Sequence, residues 1–253
     1  MNTKTGTYSL PVLLYHRIIN KQSVTGKHKV YVKEKDFEKQ MQYLKNNGYQ
    51  TITFFDLQQH PSMDLQNKVI LTFDDGYTDN YELMFPILKK YGFKAVIYLV
   101  TQTNHNAWGV AEGEPRVNLM TAAQVKEMSD YGIEMGGHTQ LHKDLVRCTP
   151  NERLQELKGS KEDVEKLTKK NVISFAYPFG GINEDIKKAT KDAGYKYAVS
   201  TNTGPKEFGD DLFQIRRIEI TPRTTLQSFK NKVSGRYFYP SFLKSLFTGK
   251  QTK

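Results

Sequence analysis

The chain reads as a single α/β domain built on a mainly parallel sheet. Three observations predict this. Short apolar runs of strand length alternate with amphipathic segments of helical period along nearly the whole sequence. Strands separated by helices pair in parallel and keep the helices outside. No Gly/Ser linker, internal repeat or low-complexity stretch divides the 253 residues, a length that suits one barrel-sized domain able to bury a large core without a staple.

Strands are expected over residues 10–15, 51–54, 69–73, 95–100, 133–135, 172–176, 197–200 and 214–220. The first run, Leu10-Pro11-Val12-Leu13-Leu14-Tyr15, is too short for the apolar core of an export signal and reads as a strand. A helix follows over 34–46, where Phe37, Met41 and Leu44 share one face and Gly48 acts as the stop. Thr121 with Gln124 makes a capping box ahead of Val125 and Met128. Thr149-Pro150-Asn151-Glu152 makes a stronger one, with proline at the first helical position. The segment 101–118 has little helical period, holds the sole tryptophan, Trp108, and is expected to be a long loop.

The chemistry concentrates at two places. The apolar run from Val69 to Phe73 ends in Asp74-Asp75-Gly76, and Met135-Gly136-Gly137 leads into His138-Thr139-Gln140-Leu141-His142. Either signal alone is weak, since adjacent aspartates often make turns and paired histidines often line a solvated helix face. Together, each after a strand-like run, they point to one site. A carboxylate and two imidazoles hold a zinc-like ion with one position open for water, and the second carboxylate is then free to act as a base. In a parallel barrel, groups at the carboxyl ends of strands converge on one rim. Asp74 and Asp75, His138, and Pro178-Phe179-Gly180 all follow strand candidates. The chain is therefore expected to be a metal-dependent hydrolase.

Thr72-Phe73-Asp74-Asp75-Gly76 matches the TFDDG motif of the polysaccharide deacetylase family, carbohydrate esterase family 4, and His138 to His142 matches its H-[ST]-x-x-H motif. Phe175-Ala176-Tyr177-Pro178-Phe179-Gly180 resembles its R-x-P-[YF]-G segment, with Ala176 in place of the arginine. The resemblance covers roughly residues 10–233. It implies a distorted (β/α)7 barrel and the removal of N-acetyl groups from N-acetylhexosamines of a polysaccharide or glycoconjugate, releasing acetate. It assigns Asp75, His138 and His142 to the metal, Asp74 to the general base, and the Phe179 backbone N–H to the oxyanion. Zinc is the default ion for such a donor set; cobalt, nickel and iron also fit.

The resemblance leaves two roles to be filled. Ordinary members carry a C-terminal histidine as the acid, yet no histidine follows His142. His16, in Leu13-Leu14-Tyr15-His16-Arg17-Ile18, ends the first strand candidate. It resembles the Y-H-x-[IL] segment of a circularly permuted branch that includes poly-β-1,6-N-acetylglucosamine deacetylases, in which this histidine is the acid. Arg217 is a candidate substitute for the lost arginine, but strand alternation points only one of Arg216 and Arg217 inward, and surface positions are expected for both. Trp108 is expected either to stack on a sugar ring or to anchor its loop to the barrel. His28, His60 and His105 have no motif support.

Composition narrows the partners. The net charge is +10, but lysines alternate with acidic residues, as in Lys33-Glu34-Lys35-Asp36, the pattern of a solvated face. No nucleic-acid-binding motif appears, so the expected partner is an N-acetylated glycan, met by a monomer. No stretch has the length of a transmembrane helix, although the aromatic and basic run 236–244 could touch a membrane surface or, as expected here, pack on the barrel. Cys148 is the lone cysteine and allows no internal disulfide. If the chain is complete, it is expected in the cytoplasm or at the inner membrane face; if a leader was removed, outside the cell. The rival functions are an amidase or O-acetyl esterase of the same fold, and an inactive glycan-binding protein.

Overall fold

The computed structural model describes residues 10–20 and 27–234. Its elements follow the chain in this order: β1 (Val12–Tyr15), β2 (Arg17–Ile19), β3 (Tyr31–Lys33), α1 (Glu34–Asn46), β4 (Gln50–Thr51), α2 (Phe54–Gln59), β5 (Lys68–Phe73), α3 (Phe85–Tyr91), β6 (Val96–Leu99), α4 (Ala107–Ala111), α5 (Ala122–Tyr131), β7 (Glu134–Gly137), α6 (Pro150–Thr168), β8 (Ser174–Ala176), α7 (Glu184–Asp192), β9 (Tyr197–Val199), β10 (Ile218–Glu219) and α8 (Leu226–Val233). The main sheet runs β10-β1-β5-β6-β7-β8-β9, all parallel, with β4 added beside β5. Val199 of β9 bridges Ile215 in parallel, and three residues later Ile218 pairs with Leu13 of β1. The stretch 215–219 thus lies between β9 and β1, curling the parallel sheet toward the (β/α) barrel that the resemblance implies.

Strand alternation divides the core in two. Leu13, Tyr15, Leu71, Phe73, Ile97 and Leu99 face the helices and pack with Phe37, Met41 and Leu44 of α1, Val125 and Met128 of α5, and Leu157 and Val164 of α6. Val12, Ile70, Val96, Tyr98, Ala176 and Val199 form a second cluster with Phe54 and Leu57 of α2. Each fully buried Leu, Met or Phe side chain contributes about 1.5–3 kcal/mol relative to exposure.

Two expected strands change in detail. The strand predicted at 51–54 shrinks to Gln50–Thr51, because Thr53 caps α2 reciprocally with Asp56, so the apolar pair Phe54-Phe55 enters a helix. The strand predicted at 214–220 survives only as the Ile215 bridge and Ile218–Glu219. A small parallel pair, β2 with β3, was unforeseen and braces the chain just after β1. The capping boxes at Thr121 and Thr149 form as expected. The run 236–244 lies outside the described residues. Among the described residues no helix is long and apolar enough to cross a membrane.

Candidate active site

The barrel's carboxyl-end rim carries a cavity of about 520 Å³ lined by His16, Asp74, Asp75, His138, His142 and Phe179. Every catalytic or metal-binding candidate from the sequence therefore meets in one place. Local backbone explains how. Just past β5, Asp75 and Gly76 are both left-handed, with φ of 74° and 77°. Thr139, His142 and Phe179 are left-handed too, at 65°, 57° and 58°. For residues with a β-carbon this conformation costs on the order of 1–3 kcal/mol each, a strain that clusters where side chains must be aimed. The glycines before His138 serve close packing: a β-carbon on Gly136 would lie 2.5 Å from the Tyr98 ring.

Asp75 Oδ1 lies 3.3 Å from His138 Nε2 and 3.3 Å from His142 Nε2. The three ligand atoms sit within 4.8 Å of one another, all in buried residues. Asp75 Oδ1 is a buried atom with no hydrogen-bond partner among the described residues. A buried carboxylate oxygen left without a donor, between two imidazole nitrogens, fits a divalent cation. His138 Nδ1 is 2.7 Å from the Ala176 carbonyl, so it carries the proton and leaves Nε2 free to ligate. His142 is oriented differently. Its ring stacks on Trp108 with centroids 4.1 Å apart and meets Phe179 edge-on at 4.6 Å. Trp108 thus anchors its segment to the barrel through a metal-ligand candidate. The segment itself is not all loop, since α4 lies within it.

The lost motif arginine is replaced. Arg217 is fully buried, contrary to the surface position expected for it. Its Nη1 and Nη2 donate to Asp74 Oδ1 and Oδ2, each at 2.7 Å, and its Nε donates to the Ser200 carbonyl at 2.7 Å. Alternation could say that one of the two arginines turns inward but not which. Arg216, on the other face, donates to the Asn202 and Gly204 carbonyls. Burial works against the Asp74 carboxylate, yet the Arg217 charge and hydrogen bonds outweigh it and hold Asp74 below the usual range.

His16 lines the cavity just past the end of β1, whose Tyr15 pairs with Phe73 of β5 and accepts the Asp74 N–H at 3.0 Å. Asn80 Nδ2 donates to the His16 carbonyl at 2.7 Å, and Asp79 pairs with Arg17 at 2.7 Å and accepts from the Ile18 N–H. Asp79 and Asn80, a few residues past the Asp74-Asp75 turn, thereby fix the chain at His16 and the two residues that follow it. His28 also reaches the cavity wall, where its Nε2 lies 2.8 Å from Glu112, a position no sequence signal announced.

A family model described as polysaccharide deacetylase matches residues 63–198. This chain belongs to the polysaccharide deacetylase family. It is 32% identical to YxkH of Bacillus subtilis, which bears a provisional polysaccharide deacetylase name, over 87% of this chain and 74% of that one. It is 27% identical to the poly-β-1,6-N-acetyl-D-glucosamine N-deacetylase of Staphylococcus epidermidis, over 75% of this chain and 68% of the relative. Among solved structures it resembles the Streptococcus pyogenes deacetylase PplD, in complex with acetate, at a TM-score of 0.77 and 28% identity, covering 90% of this chain and 99% of that one. The matched span holds Asp74, Asp75, His138, His142 and Phe179, while His16 and Arg217 lie outside it.

Proposed function

We propose that this polysaccharide deacetylase is a metal-dependent N-deacetylase that cleaves acetamides of N-acetylhexosamine residues in a glycan or glycoconjugate, giving acetate and a free amine. The observation that carries this reading is the convergence of Asp75, His138 and His142 beside a second carboxylate, Asp74, in one rim cavity. The name of the Staphylococcus epidermidis relative supports the substrate class.

A divalent ion on Asp75, His138 and His142, zinc by default, supplies Lewis acidity that lowers the pKa of water and polarises a carbonyl. The chain's own residues do the rest. Asp74 takes the proton from the attacking water. Arg217 uses two of the roughly four lone-pair positions of its carboxylate, so acceptor capacity remains. The Phe179 N–H donates to the acetyl oxygen as negative charge develops there. His16 gives a proton to the departing nitrogen, which is a poor leaving group without one. The Trp108 ring, stacked on His142, and the Phe179 ring, edge-on to it, hold that imidazole in place.

The test is acetate release from poly-β-1,6-N-acetylglucosamine, chitooligosaccharides, peptidoglycan and lipid-linked N-acetylhexosamines, using metal-stripped and zinc-reloaded protein. Release that appears only on reloading, with equimolar free amine, is the expected result. Acetate without free amine indicates an O-acetyl esterase, and binding without release indicates an inactive glycan-binding protein. Release of both products by fully stripped protein removes the metal from the account.

A further inference from the structure

The five residues from His138 to His142 contain both imidazole ligands, yet two of them, Thr139 and His142, adopt left-handed backbone. Something outside the loop must hold that shape. The neighbouring element is α6, and three of its residues meet the loop from one helical face, at positions i, i+3 and i+7. Glu156 is buried at 3% exposure, and its Oε2 accepts the N–H groups of Gln140 at 2.7 Å and Leu141 at 3.1 Å. Its Oε1 is 3.6 Å from Lys143 Nζ, one residue past His142. Gly159 has no β-carbon, and the Gln140 side-chain amide occupies the place where one would stand. Asp163 Oδ2 accepts from Gln140 Nε2 at 3.0 Å and gathers Thr101 and Gln102 at 2.6 and 2.9 Å. Gln102 N–H closes the arrangement by donating to the Gln140 carbonyl at 2.8 Å.

We infer that the Glu156–Gly159–Asp163 face of α6 is the platform that sets cation affinity at the site, with Glu156 as its main positioning residue. A carboxylate that accepts two successive backbone N–H groups fixes the peptide planes between the ligands. It thereby fixes the separation of the two Nε2 atoms before any ion arrives. Neither Glu156 nor Asp163 touches the reacting atoms; both act through the loop. The inference rests on the metal-binding reading above.

The experiment measures the Zn2+ dissociation constant by competition with a chromogenic chelator, together with the melting temperature of metal-free protein. Glu156→Ala is expected to weaken Zn2+ binding about 10–100-fold, the usual cost of losing a group that orients ligands. Glu156→Gln, whose amide oxygen can still accept, should recover most of the loss, and the exposed Glu162→Gln on the same helix should match the parent. A purely structural role predicts instead a lower melting temperature for the metal-free alanine variant with an unchanged Zn2+ constant, and that result overturns the inference. Should Glu156→Ala fail to fold, Asp163→Ala decides: a loss of about tenfold supports the platform, and parental affinity overturns it. Parent protein that does not compete for Zn2+ at all refutes the metal reading itself, a separate outcome.

Discussion

The two walls of the active-site cavity are built in different ways. One wall comes from the turns after β5, β7 and β8 and carries Asp75, His138, His142 and Phe179, all within the span matched by the family model. The other comes from the end of β1, outside that span, and carries His16, while the fully buried Arg217, also outside the span, sits behind Asp74 and pairs with it. On the first wall, strained turns aim side chains that stand in short motifs after three different strands. On the second, regular strand pairing and one buried ion pair join residues that are 143 positions apart. Local chemistry is thus specified by local motifs, whereas the electrostatic support of the base depends on the sheet curling round.

The comparison predicts different failures on the two walls. The largest effect is expected at the carboxylates of the turn. Asp74→Asn should retain the metal and lose about 10²–10⁴-fold in turnover, since that is what a positioned base contributes. Asp75→Asn and His138→Ala should instead lose metal, visible as reduced stoichiometry in elemental analysis. Equal metal loss and equal activity loss in the Asp74 and Asp75 variants would erase the division of labour between them.

Behind Asp74, Arg217→Met should leave the carboxylate buried without its partner and lower stability by about 3–5 kcal/mol in denaturant titration. The pH dependence follows from the same pair. Asp74 is held below its ordinary value, so its stabilising contribution is complete above the unfolded-state value and is lost as pH falls through the lower folded value. Asp74 therefore remains ionised to lower pH than an ordinary aspartate, and its proposed role as base places the acidic limb of kcat/KM correspondingly low. Arg217→Lys, which cannot pair in bidentate fashion, should move that limb upward. An unmoved limb and parental stability would mean that the ion pair has no bearing on the base. The smallest expected effect is at Trp108. Because His138 is oriented by a hydrogen bond and His142 by stacked rings, Trp108→Ala should loosen Zn2+ by about tenfold at most and leave the fold intact. No change in Zn2+ affinity would make the stacking incidental.

The same contrast explains what the sequence disclosed. Apolar runs such as Val69 to Phe73 announced their strands, and motif spacing brought Asp74, Asp75, His138, His142 and Phe179 to one cavity as expected. His16 was legible because a strand end and an absent C-terminal histidine pointed to it together. Arg217 was named as a candidate substitute, but a surface position was preferred for it: period-2 alternation cannot say which of two adjacent arginines faces inward until the register against β1 is known. The α2 boundary was misread although Thr53 and Asp56 already formed the T-x-x-D signal of a helix start. The α6 platform carried no motif, since Glu156 and Asp163 gain meaning only from what packs across from them.

The central claim is that Asp74, as a metal-assisted base, and His16, as the acid, serve one scissile bond. Turnover of His16→Ala on an N-acetylhexosamine substrate and on an activated aryl acetate tests it most directly. The amide expels an amine that needs a proton, whereas the aryl oxide leaves without one. The account predicts a loss of about 10²-fold or more on the amide, a much smaller loss on the ester, and unchanged metal content, with His60→Ala parental on both. Equal losses on the two substrates, or an unaffected amide rate, would contradict it.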